Sequence, residues 1–207
     1  MINLKNKLSM MVDVETMGNE STPLIVQISA VIFDIHTGQT FEQFDMLIDP
    51  KTAIKHGLTI NGSTMEFWTK QPVEAFEKVI MKAMKEGKDL EVVLDAFSAF
   101  VEQVKKTHKV KSLKWYGNGD DWSWVASNYY ATKRVMPVPF WDALDVRTAV
   151  EWGLELFGES FNPKKTTVFD GIRHDAISDC LHQIKYLVEI FQKIKQGLIS
   201  TNGQKGA

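Results

Sequence analysis

Apolar residues run almost unbroken from Leu8 to Val14 and from Leu24 to Ile35, and they recur from Thr40 to Ile48, so the chain is expected to open with three strands. The second run is the most continuously apolar, as a strand covered on both faces would be. A turn is expected at His36-Thr37-Gly38-Gln39, which makes the opening an antiparallel hairpin or meander. Past Pro50 the period lengthens. Ser63-Thr64-Met65-Glu66 is a capping-box pattern, and Pro72 to Met84 and Leu90 to Val104 repeat apolar residues at helical spacing. Lys111 to Tyr116 predicts a short strand, Gly117-Asn118-Gly119 a turn, and the stretch carrying Trp122, Trp124, Val125, Tyr129 and Tyr130 a helix. Phe140 to Arg147 predicts another brief strand, followed by a helix from Thr148 to Phe157, a loop from Ser160 to Gly171 and a long helix from about Asp175 to Lys195. Ile177, Cys180, Leu181, Ile184, Val188, Phe191 and Ile194 form the apolar stripe of that last helix, and Gly197 is expected to end it.

Strands first, helices in the middle and strand–helix units afterwards predict an α/β domain with a mixed sheet. The expected organisation is a single domain over 1–199, with a helical insertion at about 50–107 and a frayed tail over 200–207. Two independent domains are not expected of 207 residues. Lysine and arginine number 24 against 26 aspartates and glutamates, a formal charge of -2, so a polyanion would have to meet a local basic patch rather than the whole surface. One cysteine, Cys180, excludes an internal disulfide framework and a multi-cysteine zinc site, and it favours a reducing compartment. The apolar stretch after Lys7 is stopped by Asp13, too soon for a signal-peptide core, and the uncharged run from Ser21 to Phe33 contains Pro23 and Gln27 and falls short of a membrane span. A cytoplasmic protein is expected.

Three segments carry candidate chemistry. In Met11-Val12-Asp13-Val14-Glu15 the period of two puts both carboxylates on one face of a strand. On an exposed edge they would be solvated. On a central strand two like charges would have to neutralise or meet a cation, and an all-oxygen set favours Mg²⁺ or Mn²⁺. At the other end, Asp175, Ser178, Asp179 and His182 follow helical spacing and predict a polar stripe opposite the core, which is equally the pattern of a solvated face. His174 precedes that helix and has the ordinary pKa of a proton-transfer group. The middle segment runs from Trp115 to Trp124. It holds Asp120 and Asp121 but no phosphate-loop or dinucleotide glycine pattern, and either aspartate could simply cap the helix that follows.

Taken in order, these segments resemble the three motifs of the DnaQ-like, DEDD-type 3′-to-5′ exonucleases, in the histidine-containing branch. The first motif is matched by Val12-Asp13-Val14-Glu15-Thr16-Met17-Gly18, and the third by His174-Asp175-Ala176-Ile177-Ser178-Asp179. Phe67-Trp68-Thr69-Lys70-Gln71, Tyr116-Gly117-Asn118-Gly119 and Asp145-Val146-Arg147-Thr148 further resemble small phage and prophage exonucleases of that superfamily, and the similarity spans Met10 to Tyr186. The resemblance implies a ribonuclease H-like fold, a mixed five-stranded sheet with its first three strands antiparallel and helices on its faces. It also implies that Asp13, Glu15 and Asp179, with a fourth acid from the middle motif, hold two divalent ions, and that His174 acts as general base. If the chain is phage-encoded, its compartment is the cytoplasm of a bacterial host.

The middle motif can be read in more than one register. Aligning Gly117-Asn118-Gly119 and Trp122 puts Ser123 where the family has its aspartate. Aligning the following helix selects Asp121, with Asp120 as a further candidate. Asp121 is preferred because four carboxylates balance two divalent ions and a serine hydroxyl adds no charge. The expected activity is removal of nucleotides from the 3′ end of single strands, DNA ahead of RNA, with release of 5′-mononucleotides. The alternatives are a degenerate exonuclease that binds nucleic acid or a protein because Ser123 has replaced the acid, and a purely structural subunit. Lys51, Lys55, His56, Lys70, Lys164, Lys165 and Arg173 are expected near the rim of the site, and Trp68, Trp122 and Trp124 are candidates to stack a base, with core packing expected for at least two of the three.

Overall fold

Three antiparallel strands open the fold of the computed structural model, which describes residues 8–203: β1 (Leu8–Thr16), β2 (Ile25–Asp34) and β3 (Thr40–Leu47). Two short helices follow, α1 (Pro50–Ile54) and α2 (Gly62–Thr69), then a contiguous helical stretch of α3 (Val73–Phe76), a π-helical segment (Glu77–Met81) and α4 (Lys82–Glu86), and then α5 (Leu90–Thr107). β4 (Lys114–Gly117) feeds α6 (Asp121–Ala131). A 3₁₀ turn (Phe140–Asp142) leads into β5 (Ala143–Asp145) and α7 (Val146–Phe157), and α8 (Pro163–Thr166) precedes the long α9 (Ala176–Gly203). The sheet order is β3-β2-β1-β4-β5, with β1 antiparallel to β2 and parallel to β4, and β4 parallel to β5. This is the expected mixed five-stranded sheet. β1 is the strand at which the order switches, and the crevice beyond the carboxyl ends of β1 and β4 is where such a sheet offers room for a ligand.

All nine residues of β1 are buried, and its alternation assigns them to two cores. Met10, Val12 and Val14 pack with Phe97 and Val101 of α5, Trp115 of β4 and Tyr129 of α6. Phe97 meets Phe44 at 5.3 Å and Trp115 at 6.1 Å, both edge-on. Rings of this kind remove roughly 150–250 Å² each from water, about 4–6 kcal/mol at 25 cal/mol per Å² before entropy is counted. Met11 looks the other way, towards Val146 and Val150 of α7 and Cys180 and Ile184 of α9. Asp13 and Glu15 share that second face, where Gln183 of α9 donates to Asp13.

Several local expectations are corrected. α2 begins at Gly62 and is capped by Asn61, not by the Ser63 capping box: the Asn61 side chain accepts the Thr64 N–H at 2.9 Å while its own N–H bonds Met17 O at 3.1 Å, so the cap is also a tie to the end of β1. The expected loop after Ser160 contains a helical turn, α8, because Asn162 caps Pro163 at its first position. The strand expected over Phe140 to Arg147 is three residues of β5 between a 3₁₀ turn and α7. Gly197 does not end α9, which continues to Gly203; a glycine inside a helix costs about 1 kcal/mol, which weakens the helix without breaking it. Of the expected tail, 200–203 are therefore helical and 204–207 lie outside the described residues.

Candidate active site

Four acids meet where β1, α6 and α9 converge. Asp13 and Glu15 stand on the α9 side of β1, 8% and 9% exposed, opposite Ser29 and Gln27 of β2 in the strand register. Asp121 is the first residue of α6, four positions past the end of β4, and is 5% exposed. Its carboxylate accepts the Asn118 N–H at 2.6 Å, and Gly117 leaves room for it, since a Cβ there would lie 3.3–3.4 Å from the Asp121 side chain. Asp179, half-buried in the first turn of α9, accepts the His174 N–H at 2.9 Å. That bond holds His174 in a left-handed conformation, φ 62°, just ahead of the helix. The imidazole packs edge-on to Phe67, ring centres 5.0 Å apart, and lies 6.4 Å from Trp68. Ligand atoms of Glu15, His174 and Asp179 all fall within 4.8 Å of one another, a spacing that can hold a metal ion. The acids and His174 line one open cleft of about 480 Å³.

Burial sets the electrostatics of this cleft. Burial first, and then the charges of Asp121, Glu15 and Asp179, raise Asp13 well above the ordinary carboxylate range, while the amide of Gln183, donating to Asp13 at 2.7 Å, pulls it back. Glu15 is raised well above its range for the same first reason, with Asp179 and Asp121 adding to it. Burial pushes Asp121 up to about 7 against the opposing Asn118 N–H and the Arg147 charge, and pushes Asp179 up to about 6 against the His174 N–H. Among the described residues no lysine, arginine or histidine forms an ion pair with any of the four. Uncompensated clustered carboxylates of this kind oppose folding unless protonated or bound to cations, and their hard oxygens suit a divalent ion. Burial, with Arg173 nearby, lowers the pKa of His174, so its imidazole is neutral near pH 7.

Of the three middle-segment candidates, Asp121 faces the other acids. Ser123 is exposed and spends its hydroxyl on Asp120 O at 2.8 Å, one turn back, and Asp120 is also exposed although it lines the cleft. The polar stripe of α9 is not a solvated face. Asp175 is fully buried and accepts from Lys78 at 2.8 Å, Ser178 at 2.7 Å and Gln27 at 3.1 Å, because the π-helical segment brings Lys78 over it. His182 is half-buried, its ring 4.9 Å from Phe169. None of Lys51, Lys55, His56, Lys70, Lys164, Lys165 or Arg173 lines the acidic cleft. His56 pairs with Glu91, Lys70 pairs with Glu66, and Arg173 lies over Phe169. Trp68 is a core residue with its indole N–H on Thr16 O, and Trp122 packs on the same core; only Trp124 of the three lines the cleft, together with the more exposed Phe67. Gln183 and Arg147 were not singled out as site residues. Gln183 sits four residues after Asp179, on the same helical face, which is the signal that could have found it.

A family model described as the 3′-5′ exoribonuclease Rv2179c-like domain matches residues 8–191. The chain belongs to that family. It is a 3′-5′ exonuclease of the DnaQ-like kind. The exonuclease is 25% identical, over 84% of each chain, to the exodeoxyribonuclease of Enterobacteria phage T4. Its fold is shared with the nuclease domain of 3′hExo, a DEDDh family member solved with rAMP, at a TM-score of 0.65, 13% identity and coverage of 91% of this chain and 94% of that one. It is also shared with E. coli exonuclease I in complex with a dT13 oligonucleotide, at a TM-score of 0.61 and 12% identity, covering 94% of this chain and 43% of that one. No helix among the described residues of the exonuclease is long and apolar enough to cross a membrane.

Proposed function

We propose that this exonuclease removes nucleotides stepwise from the 3′ end of single-stranded DNA and releases 5′-mononucleotides, with two divalent ions, Mg²⁺ or Mn²⁺, held by Asp13, Glu15, Asp121 and Asp179. The observation that carries this reading is the convergence of four carboxylates on one cleft, three buried and one half-buried, with no ion-paired cation among the described residues. When bound, the ions would supply Lewis acidity at the phosphodiester and a more acidic water. The chain supplies the rest. His174, neutral and held by Asp179 through its backbone and by Phe67 through its ring, accepts the proton of the attacking water. Gln183 keeps the Asp13 carboxylate turned into the cleft. Phe67 and Trp124 offer aromatic faces to a terminal base.

The T4 relative supports DNA as substrate. The family description names an exoribonuclease, which keeps RNA as the second reading. Ser123, the residue behind the alternative of a binding module with a degraded site, points away from the cleft, which favours the catalytic reading. The test is digestion of 5′-labelled single strands of one sequence, as DNA and as RNA, with Mn²⁺. Stepwise shortening of the DNA, faster than of the RNA and lost in Asp13→Ala, is expected. Equal digestion by Asp13→Ala would overturn the assignment of the site, and binding without digestion by the unaltered protein would favour the alternative.

A further inference from the structure

Among the described residues that line the acidic cleft, Arg147 is the only lysine or arginine, and its surroundings hold it there. It occupies the second position of α7, directly after β5, and donates its backbone N–H to Asp145 Oδ1 at 2.8 Å. The same oxygen accepts the Gly119 N–H at 3.3 Å. Asp145 is therefore engaged by two backbone donors and forms no ion pair with the guanidinium. The Arg147 Nε donates to the side-chain oxygen of Asn118 at 2.9 Å, which turns the plane of the guanidinium. Neither terminal nitrogen has an acceptor among the described residues. Gly119 supplies the seat: it sits at φ 61°, and a Cβ there would lie 2.6 Å from one terminal nitrogen and 2.8 Å from Cζ. Asn118 is at the same time the residue whose N–H holds Asp121, so one turn orients both an acid and the one cation of the cleft.

An arginine with its Nε occupied and both terminal nitrogens free presents a two-pronged donor matched to two oxygens of a phosphate. We propose that Arg147 grips the scissile phosphate through those two nitrogens and stabilises the negative charge that builds on its oxygens during displacement. This rests on the phosphodiesterase reading of the cleft. It adds a catalytic residue from β5–α7, outside the four acids and His174, together with a positioning pair, Asn118 and Gly119. A cation beside the metal-binding acids is tolerable because it shares the cleft with Asp120 and Asp121, and the charge of Arg147 in turn opposes the upward push of burial on Asp121.

The experiment has one arm that needs no turnover. In Ca²⁺, calorimetry compares thymidine 5′-monophosphate with thymidine. The unaltered protein is expected to prefer the monophosphate, and Arg147→Met is expected to reduce that preference about tenfold or more while thymidine affinity holds. In the second arm, with Mn²⁺ and a labelled single strand, Arg147→Met is expected to lower kcat about 10- to 100-fold, Arg147→Lys to recover part of it, and Gly119→Ala, which keeps the arginine but fills its seat, to fall in the same direction. A folded Arg147→Met with an unchanged monophosphate-to-nucleoside ratio, or with unchanged kcat, overturns the proposal. A role confined to bracing α7 would lower the melting temperature and leave that ratio and kcat in place. If Arg147→Met does not fold, Arg147→Lys and Gly119→Ala decide by the same ratio. Absence of any Asp13-dependent digestion by the unaltered protein would instead defeat the exonuclease reading, and the calorimetric arm would still judge the arginine.

Discussion

Raising the pH of the metal-free protein from 6.5 to 8 should destabilise it, and divalent ions should reverse the trend. Asp121 has a folded pKa of about 7 against an ordinary 3.8, so over this interval the folded state gives up a proton that the unfolded chain has already lost. A raised folded pKa means stability present at low pH and lost as the pH climbs through the folded value. For a pKa of about 7 the loss between pH 6.5 and 8 is about 1 kcal/mol. Asp13 and Glu15, which burial and the neighbouring acids raise well above the ordinary carboxylate range, act in the same direction. His174 and His182, whose pKa values burial lowers, act oppositely: the unfolded imidazole is half-charged at about pH 6.5, so each returns at most about 0.4 kcal/mol between pH 6.5 and 8. Thermal melts followed by circular dichroism in EDTA should fall across the interval, by about 2–4 °C for each kcal/mol of net loss. With Mn²⁺ in excess the melting temperature should instead rise with pH, since the ion competes with protons for the same oxygens. A metal-free melting temperature that is flat or rising from pH 6.5 to 8, or one indifferent to Mn²⁺, would refute the clustering argument.

Three further outcomes are expected. Asp121→Asn should lower kcat at least about 100-fold while Ser123→Ala stays near the unaltered rate, measured on labelled single strands with Mn²⁺; the opposite ranking would assign the middle motif to Ser123. Lys78→Met should cost about 1–3 kcal/mol in urea unfolding, less than the loss of a fully buried pair, because Lys78 is 40% exposed and Ser178 and Gln27 still donate to Asp175; no loss would mean that Asp175 is content without it. Phe97→Ala should cost about 3–5 kcal/mol in the same measurement, since the ring is fully buried between Phe44 and Trp115.

The sheet was legible because β1 and β2 are apolar almost throughout, which only a buried strand tolerates, and the acids on β1 stood out against that background. His174 and Asp179 stand out through the resemblance of their segment to the family's third motif, since their spacing alone reads equally as a solvated helix face. The middle motif was ambiguous because its register depends on how the Gly117–Gly119 turn closes, and hydrophobic periodicity does not report this. The α9 stripe reads equally well as solvated until Lys78, from a distant helix, covers Asp175. Arg147 was visible as part of a motif but not as a site residue, since its place in the cleft depends on a three-residue strand and a glycine contact that only the tertiary structure supplies.

The central claim is that Asp13, Glu15, Asp121 and Asp179 together form a seat for divalent cations. A crystal structure of the Mn²⁺-soaked protein, with the ions located by anomalous scattering, tests it most directly. Two peaks bounded by those four carboxylates are expected; a map with no peak there, or with manganese only at other acids, would contradict the account.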